Sequence, residues 1–497
     1  MRTSGILMPL FSLPSPYGIG TMGKAAYDFV DFLKKAEQTI WQMLPVSPTS
    51  YGDSPYQSYS AFAGNPYFID LELLEKDGLL KKSEYVNEEY GTVSISVDYG
   101  LLYKNRYRVL YKAYKRFMKN IPDDFESFCV DNAFWLDDFA RYTAIKEENG
   151  GKPWYEWEKG LVSRDGSEKD KKYDDGVTFH KVIQYLFSKQ WNRLRAYAND
   201  NGIRIMGDMP IYVALDSADV WANPKEFELN DKLLPIEVAG CPPDAFSKDG
   251  QLWGNPLYDW EYMESDGYSF WAERMKHTLK LYDIIRIDHF RGFESYYAIA
   301  YGEKTAKCGR WRKGPGSNLF KKLTEKLGTL PIVAEDLGYL TDGVREMLKE
   351  CGYPGMKVLQ FAFDSREDSD YLPHNYDKNC VVYTGTHDND TLTGWLETAP
   401  EDDIEMAKEY IRYTEEEGFC AGMIKTAMAS VADTVIIPLQ DYIQVGSGAR
   451  INTPSTTGNN WRWRAGVNDI TDGLAKRISK IVRLYRRTDI KKKNKED

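Results

Sequence analysis

The sequence predicts an α/β protein, a (β/α)8 barrel with large, mainly helical insertions between barrel strands. Three observations carry this expectation. Eight short apolar runs each end in Gly, Pro or a charged cluster; amphipathic helical stretches lie between most of them; and no G-x-G-x-x-G or G-x-x-x-x-G-K-[ST] is present, whereas a doubly wound sheet would more often show a glycine-rich loop after its first strand. At 497 residues and 42% hydrophobic, the chain is long enough to bury such a core.

The runs are GILMPL (5–10), IWQMLPV (40–46), IRIMGDMPIYV (203–213), IIRIDHF (284–290), LPIVAEDLG (330–338), MKVLQFAF (356–363), CVVYTGTHD (380–388) and TVIIPLQDYI (434–443). They read as buried strands. Ala26, Phe29, Val30 and Leu33 form one helical stripe, and Ile470, Leu474, Ile478, Ile481 and Tyr485 another. Strand–helix alternation implies a parallel sheet.

About 150 residues separate the second and third runs, too many for one ordinary connection. A mainly helical insertion is therefore expected over 60–200, with helices at 101–120, 131–148 and 178–201. The charged stretch 163–176 between them reads as exposed and mobile. A second insertion, 214–280, carries CPPDAFSKDGQLWGNP (241–256), whose prolines and glycines argue against regular structure. It reads as a loop bearing Trp253, either packed on the surface or serving as a lid over a cleft. The whole chain, 1–497, reads as one elaborated barrel, and its basic end RRTDIKKKNKED as a solvated, frayed tail.

A net charge of -11 and a pI near 5.3 argue against nucleic acid or an anionic membrane as partner and favour a neutral polar ligand. Six widely spaced cysteines without a C-x-x-C pair suggest neither a disulfide scaffold nor a zinc site. The start MRTSGILMPLF lacks the apolar core of a signal peptide, and no run approaches the ~20 apolar residues of a membrane span, so a cytoplasmic protein is expected. Aromatic rings with a polar handle are abundant, 35 Tyr and 13 Trp against 21 Phe, and sugar sites use such rings.

Four of the apolar runs end in acids: Asp208, Asp288, Glu335 and Asp388. One acid at a strand end is more often a turn or helix cap; four on the reactive rim of one barrel outweigh coincidence. Arg286 and Asp288 lie two apart and share a side of their strand, so the arginine should keep Asp288 ionised, as a nucleophile requires. Glu335 closes a very apolar strand, where desolvation would raise its pKa toward that of a proton donor; its neighbour Asp336 reads as a partner or a helix cap. His387, one of five histidines, stands beside Asp388 and is suited to donate to sugar hydroxyls, while Asp388 could stabilise an oxocarbenium-like transition state. No H-E-x-x-H or other close histidine pair points to a metal.

These residues sit in blocks that closely resemble the 4-α-glucanotransferases of glycoside hydrolase family 77, along essentially the whole chain. The blocks are SPYGIGTMG (15–23), WQMLPVSPTSYGDSPYQSYSAFAGNPYFIDL (41–71), GDMPIYV (207–213), GQLWGNPLYDW (250–260), RIDHFRG (286–292), AEDLG (334–338), THDND (386–390) and RINTP (450–454). The resemblance implies Asp288 as nucleophile, Glu335 as acid/base and Asp388 as transition-state stabiliser, with Arg286, His387, Ser54 and Tyr56 holding the sugar; Asp208 is counted with the substrate-binding residues. It implies that Trp253 of a lid contacts glucan, that Asn460 approaches the donor sugar, and that Tyr51 makes a second, remote glucan contact. The segment here reads GNNW where many members have GNW. The resemblance further implies no separate C-terminal β domain, no cofactor and no required metal.

The expected activity is retaining transfer of α-1,4-glucan segments to the 4-hydroxyl of glucose or another glucan. The acids alone would serve an α-amylase-type hydrolase equally well, and a glycan-binding barrel that had lost its chemistry is the third reading.

Overall fold

The computed structural model describes residues 2–488 except 92, 168–169, 244–246, 339 and 367; the Tyr51 side chain is likewise outside the described set. Its central sheet has eight strands: β1 (Thr3–Leu7), β2 (Ile40–Gln42), β3 (Arg204–Met209), β4 (Ile284–Ile287), β5 (Ile332–Ala334), β6 (Gly355–Val358), β7 (Cys380–Tyr383) and β8 (Thr434–Pro438). Consecutive strands pair in parallel from β1 to β5 and from β6 to β8, and β8 returns to β1 through Ile6↔Ile437. At the remaining seam the Ala334 N–H donates to the Pro354 carbonyl at 2.9 Å, and the Met356 N–H donates to the Asp336 carboxylate at 2.6 Å. Asp336 thus helps close the barrel.

Both faces of such a sheet are covered, which is why the strands read as continuous apolar runs rather than alternating ones. Ile6, Trp41, Ile205, Ile285, Val382 and Ile436 are fully buried. The strands are shorter than the runs, because Pro9 and Pro210 lack the N–H that would extend the ladder. Helices Lys24–Lys35, Ser269–Leu281, Ser317–Leu327, Asp342–Cys351, Phe419–Ala429 and Asp472–Leu484 lie between or after the strands.

Between β2 and β3 run three long helices, α1 (Tyr99–Phe117), α2 (Asp124–Glu148) and α3 (Asp174–Asp200). Asp98 caps α1 by accepting the Leu101 N–H, and Leu102, Val109, Leu110 and Phe117 bury its apolar stripe. The stretch expected to be a mobile loop instead contains the short helix Arg164–Ser167 and the turn Lys171–Tyr173, which anchor through buried Ser167 and Tyr173.

The second correction concerns 241–256. Gln251–Pro256 is a strand, paired antiparallel with Glu237–Cys241 in a four-stranded sheet completed by Ser295–Ala300 and Arg310–Lys313. Pro242, Pro243 and Gly250, at φ +67°, lie in or beside the hairpin turn rather than within the strands. Two of the four strands come from beyond residue 280, so this outer sheet joins separate excursions of the chain.

Among the described residues, no helix is long and apolar enough to cross a membrane. The C-terminal end departs from the frayed tail expected of it as far as residue 488. Arg487 is fully buried, donating to the carbonyls of Met428 (2.9 Å), Thr3 (3.2 Å), Ala432 (3.1 Å) and Ser430 (3.1 Å). Residues 489–497 lie outside the described residues. Arg487→Ala should lower stability by about 3 kcal/mol by stranding these buried carbonyls, read as a drop in the thermal unfolding midpoint. An unchanged midpoint would show that solvent replaces the guanidinium freely.

Candidate active site

The register of the barrel brings the acids together. Asp208 of β3 lies opposite Arg286 of β4, and one guanidinium nitrogen of Arg286 reaches both Asp208 Oδ2 (2.6 Å) and Asp288 Oδ1 (3.1 Å). The parity expected of Arg286 and Asp288 is thus present. Tyr56 donates its hydroxyl to the same Asp208 oxygen at 2.8 Å. The Tyr56 ring stacks on His387, with centroids 5.2 Å apart and planes 13° apart. Ser54 stands beside it, its Oγ accepting the Tyr56 backbone N–H (3.2 Å) in a local turn.

Glu335 immediately follows β5. Its Oε2 accepts the N–H of His289 (2.7 Å) and its Oε1 that of Leu337 (2.8 Å). His289 sits in the left-handed region at φ +51°, uncommon for a residue with a Cβ, in the turn that aims its N–H at Glu335. The Glu335 carboxyl is thereby pinned to the residue next to Asp288.

Asp388 is not at a strand end. It lies in the loop beyond β7, which stops at Tyr383. Asn389 accepts the Thr386 N–H and hydroxyl, both at 2.9 Å, and Asp441 anchors both ends of the loop through the Thr384 hydroxyl (2.5 Å) and the Leu392 N–H (2.8 Å). Asn452 then donates to Asp388 Oδ1 at 2.6 Å, Arg450 donates to the Asp388 carbonyl at 2.6 Å, and His387 Nε2 stands 3.4 Å from the same Oδ1.

Sequence reasoning quoted the block containing Arg450 and Asn452 but gave neither a role, because a neutral amide some sixty residues from its partner leaves no spacing signal. His289 and Trp461 were also missed; the Trp461 ring lies 5.6 Å from Tyr56 and 5.9 Å from His387. Asn460, its neighbour, braces the loop, accepting the Thr453 N–H (3.0 Å) and donating to the Thr456 carbonyl (3.0 Å). Trp253, on the outer sheet, meets the His289 ring edge-on at 4.8 Å. Gln57 links that strand to the Tyr56 loop, donating to Asn255 (3.0 Å) and to the Trp253 carbonyl (3.3 Å).

The electrostatics differ from expectation at Asp288. Burial raises its carboxyl, Asp208, Glu335 and Asp388 add to the rise, and Arg286 opposes it. Arg286 cannot hold Asp288 as firmly as a private partner would, because Asp208 takes the shorter contact. Glu335 is also raised, by burial, against the pull of Arg286 and its two backbone donors. His387 is lowered by burial, which keeps its imidazole neutral. Among the described residues, no group of three or more His, Cys, Asp or Glu side chains is placed to hold a metal ion.

Carboxyls at one guanidinium, a neutral imidazole and three aromatic rings at the rim of a parallel (β/α)8 barrel define an enzyme of glycoside chemistry. The family model described as 4-alpha-glucanotransferase, glycoside hydrolase family 77, matches residues 8–468. A 4-alpha-glucanotransferase of Clostridium butyricum is 50% identical over 487 residues, covering 97% of this chain and 100% of that protein. One from Streptococcus pneumoniae is 48% identical, covering 98% and 97%. The structure of Streptococcus agalactiae amylomaltase in complex with acarbose superposes with a TM-score of 0.96 at 42% identity, covering 98% of this chain and 100% of that one. The chain belongs to the 4-alpha-glucanotransferases of glycoside hydrolase family 77. Its activity is glucan transglycosylation, and the transferase reading prevails over the hydrolase and the non-catalytic barrel.

Two substitutions test the geometry. Asn452→Ala should lower kcat roughly tenfold to a hundredfold by releasing Asp388, and Tyr56→Phe roughly tenfold by removing one donor from Asp208 while keeping the stack on His387. Steady-state disproportionation rates give both values; wild-type rates would show these contacts to be incidental.

Proposed function

We propose that Asp288 is the nucleophile, Glu335 the general acid/base and Asp388 the transition-state stabiliser of a retaining double displacement. The observation that carries this is the shared Arg286, with Glu335 pinned beside it to the turn after Asp288. Two carboxyls that both resist ionisation, next to one cation, retain a proton between them. The first half-reaction needs that state: Asp288 ionised toward the anomeric carbon, Glu335 protonated toward the departing glycosidic oxygen. Glu335, now a carboxylate, then takes the proton of an incoming sugar hydroxyl, and the glycosyl–Asp288 bond breaks as the new glycosidic bond forms.

The proposed donor is an α-1,4-glucan, and the acceptor is the 4-hydroxyl of glucose or another glucan. Arg286, Tyr56, His387 and Trp253 contact the sugars; Asp208, wholly enclosed, supports Arg286 and Tyr56 from beneath; Ser54 and Asn460 position the Tyr56 and Trp461 segments. Tyr51 keeps the remote glucan role implied by family resemblance. No cofactor enters these steps. The six free thiols support a reducing compartment, the cytoplasm. Acarbose, bound by the Streptococcus agalactiae amylomaltase, should compete with substrate here.

Incubation with maltotriose should give glucose together with maltopentaose and longer chains; shortening alone would instead mean hydrolysis. Asp288→Asn should abolish turnover with the fold intact, and near-normal rates would remove Asp288 from the mechanism. Because burial raises Glu335, its acid form persists above the usual glutamate range, and kcat/KM should fall only as pH passes that raised value. A basic limb at the ordinary glutamate pKa would contradict the assignment.

A further inference from the structure

The helical insertion between β2 and β3 meets the active site at the start of α1. Tyr99, the first residue of α1, is buried and donates its hydroxyl to the Trp461 carbonyl at 2.9 Å. The chain leading into it runs antiparallel beside the residues after Trp461: the Val97 N–H donates to the Arg462 carbonyl (2.8 Å), the Arg464 N–H to the Ile95 carbonyl (3.0 Å), and Ser96 bridges Trp463. The opposite edge of this segment is held by Ser12, in the turn after β1, whose hydroxyl donates to the Trp463 carbonyl (2.7 Å) and whose carbonyl accepts the Ala465 N–H (2.9 Å).

A buried tyrosine that satisfies a carbonyl is ordinary. What sets this one apart is the residue it holds. Trp461 sits in the left-handed region at φ +64°, where a bulky side chain is disfavoured, so its contacts must maintain it there. Its N–H closes back on the Ile451 carbonyl at 2.7 Å and so joins the ends of the loop 451–461. Both ends serve the site. Beside Ile451, Asn452 holds Asp388 with its side chain and donates its N–H to the His387 carbonyl at 3.0 Å; at the other end the Trp461 ring lies against Tyr56 and His387. Trp461 is only 5% exposed, so it backs the Tyr56–His387 stack rather than offering a surface to sugar.

We infer that Tyr99 is a positioning residue for the transfer reaction: its hydroxyl fixes the left-handed backbone of Trp461, and through the indole the helical insertion sets His387 in the pocket. The inference rests on the proposed roles of His387 and Asp388 and adds to them a role for the insertion. Without the hydroxyl, the buried Trp461 carbonyl loses its donor and the backbone is free to relax toward negative φ, which turns the indole away from both rings. The stack then loosens, and with it the setting of His387 beside Asp388, a loss felt more in the transition state than in binding.

Steady-state kinetics on maltotriose, with thermal unfolding in parallel, test this. Tyr99→Phe keeps the ring and its packing; it should lower kcat about fivefold, the scale of one neutral hydrogen bond, and change KM by less than about twofold. Trp461→Gly adopts the left-handed backbone without strain but lacks the ring, so it should lower kcat by itself, and Tyr99→Phe added to it should cost nothing further. Wild-type kcat in Tyr99→Phe overturns the proposal. So does the same loss recurring in the Trp461→Gly background, since Tyr99 would then not act through the indole, and so does a loss that vanishes once rates are normalised to the folded fraction. Failure of the underlying reading would appear separately, as wild-type rates in His387→Ala and Asp388→Asn.

Discussion

Everything at the rim depends on the Arg286 guanidinium. Asp208 is wholly enclosed and Arg286 nearly so, and removing one partner of such a pair typically costs 3–5 kcal/mol because a buried charge is left uncompensated. The pairing constrains the sheet as well. With Asp208 and Arg286 opposite each other on β3 and β4, a slip of one residue would turn the guanidinium to the other face of the strand and leave Asp208 and Asp288 without their cation. Through Asp208 the same contact orders Tyr56, and through the Tyr56 ring it reaches His387, two residues that come from distant loops.

That arrangement explains why three acids do not by themselves separate transfer from hydrolysis. In the proposed mechanism a glycosyl–Asp288 intermediate is common to both, and its fate turns on whether water or a sugar hydroxyl stands beside Glu335. The outer sheet reaches this part of the site. Trp253 closes on His289, whose backbone holds Glu335, and Gln57 fastens the Trp253 strand to the Tyr56 loop. The Trp253 strand, the Tyr56 loop and the turn that holds Glu335 are therefore linked to one another.

The barrel was legible in the sequence because parallel strands buried on both faces leave unbroken apolar runs, and Arg286 and Asp288 were legible because parity along one strand is local. What escaped was non-local or ambiguous. The prolines of 242–243 signal irregular chain, yet they sit in a turn beside a strand whose partners lie up to sixty residues away. Asp388 reads as a strand terminus because apolar residues precede it, whereas a network of Thr386, Asn389 and Asp441 carries it into a loop. Arg487 reads as tail because charge suggests solvent; only the fold brings four carbonyls to it. Asn452 could be found only by its contact.

Glu335 shows most directly why burial alone does not make an acid. Enclosure raises its pKa, while Arg286 and the N–H groups of Leu337 and His289 lower it by favouring the carboxylate. A glutamate governed by enclosure alone would give up its proton too reluctantly to serve the first half-reaction, and one governed by its donors would hold none to give. The proposed cycle asks the same group to be an acid and then a base, which is fastest when the two forms lie close in free energy. The opposing contacts act toward that balance, and in the proposed cycle they shift: once Asp288 is esterified its negative charge is gone, repulsion on Glu335 falls, and the carboxylate needed to activate the acceptor becomes the easier form to keep.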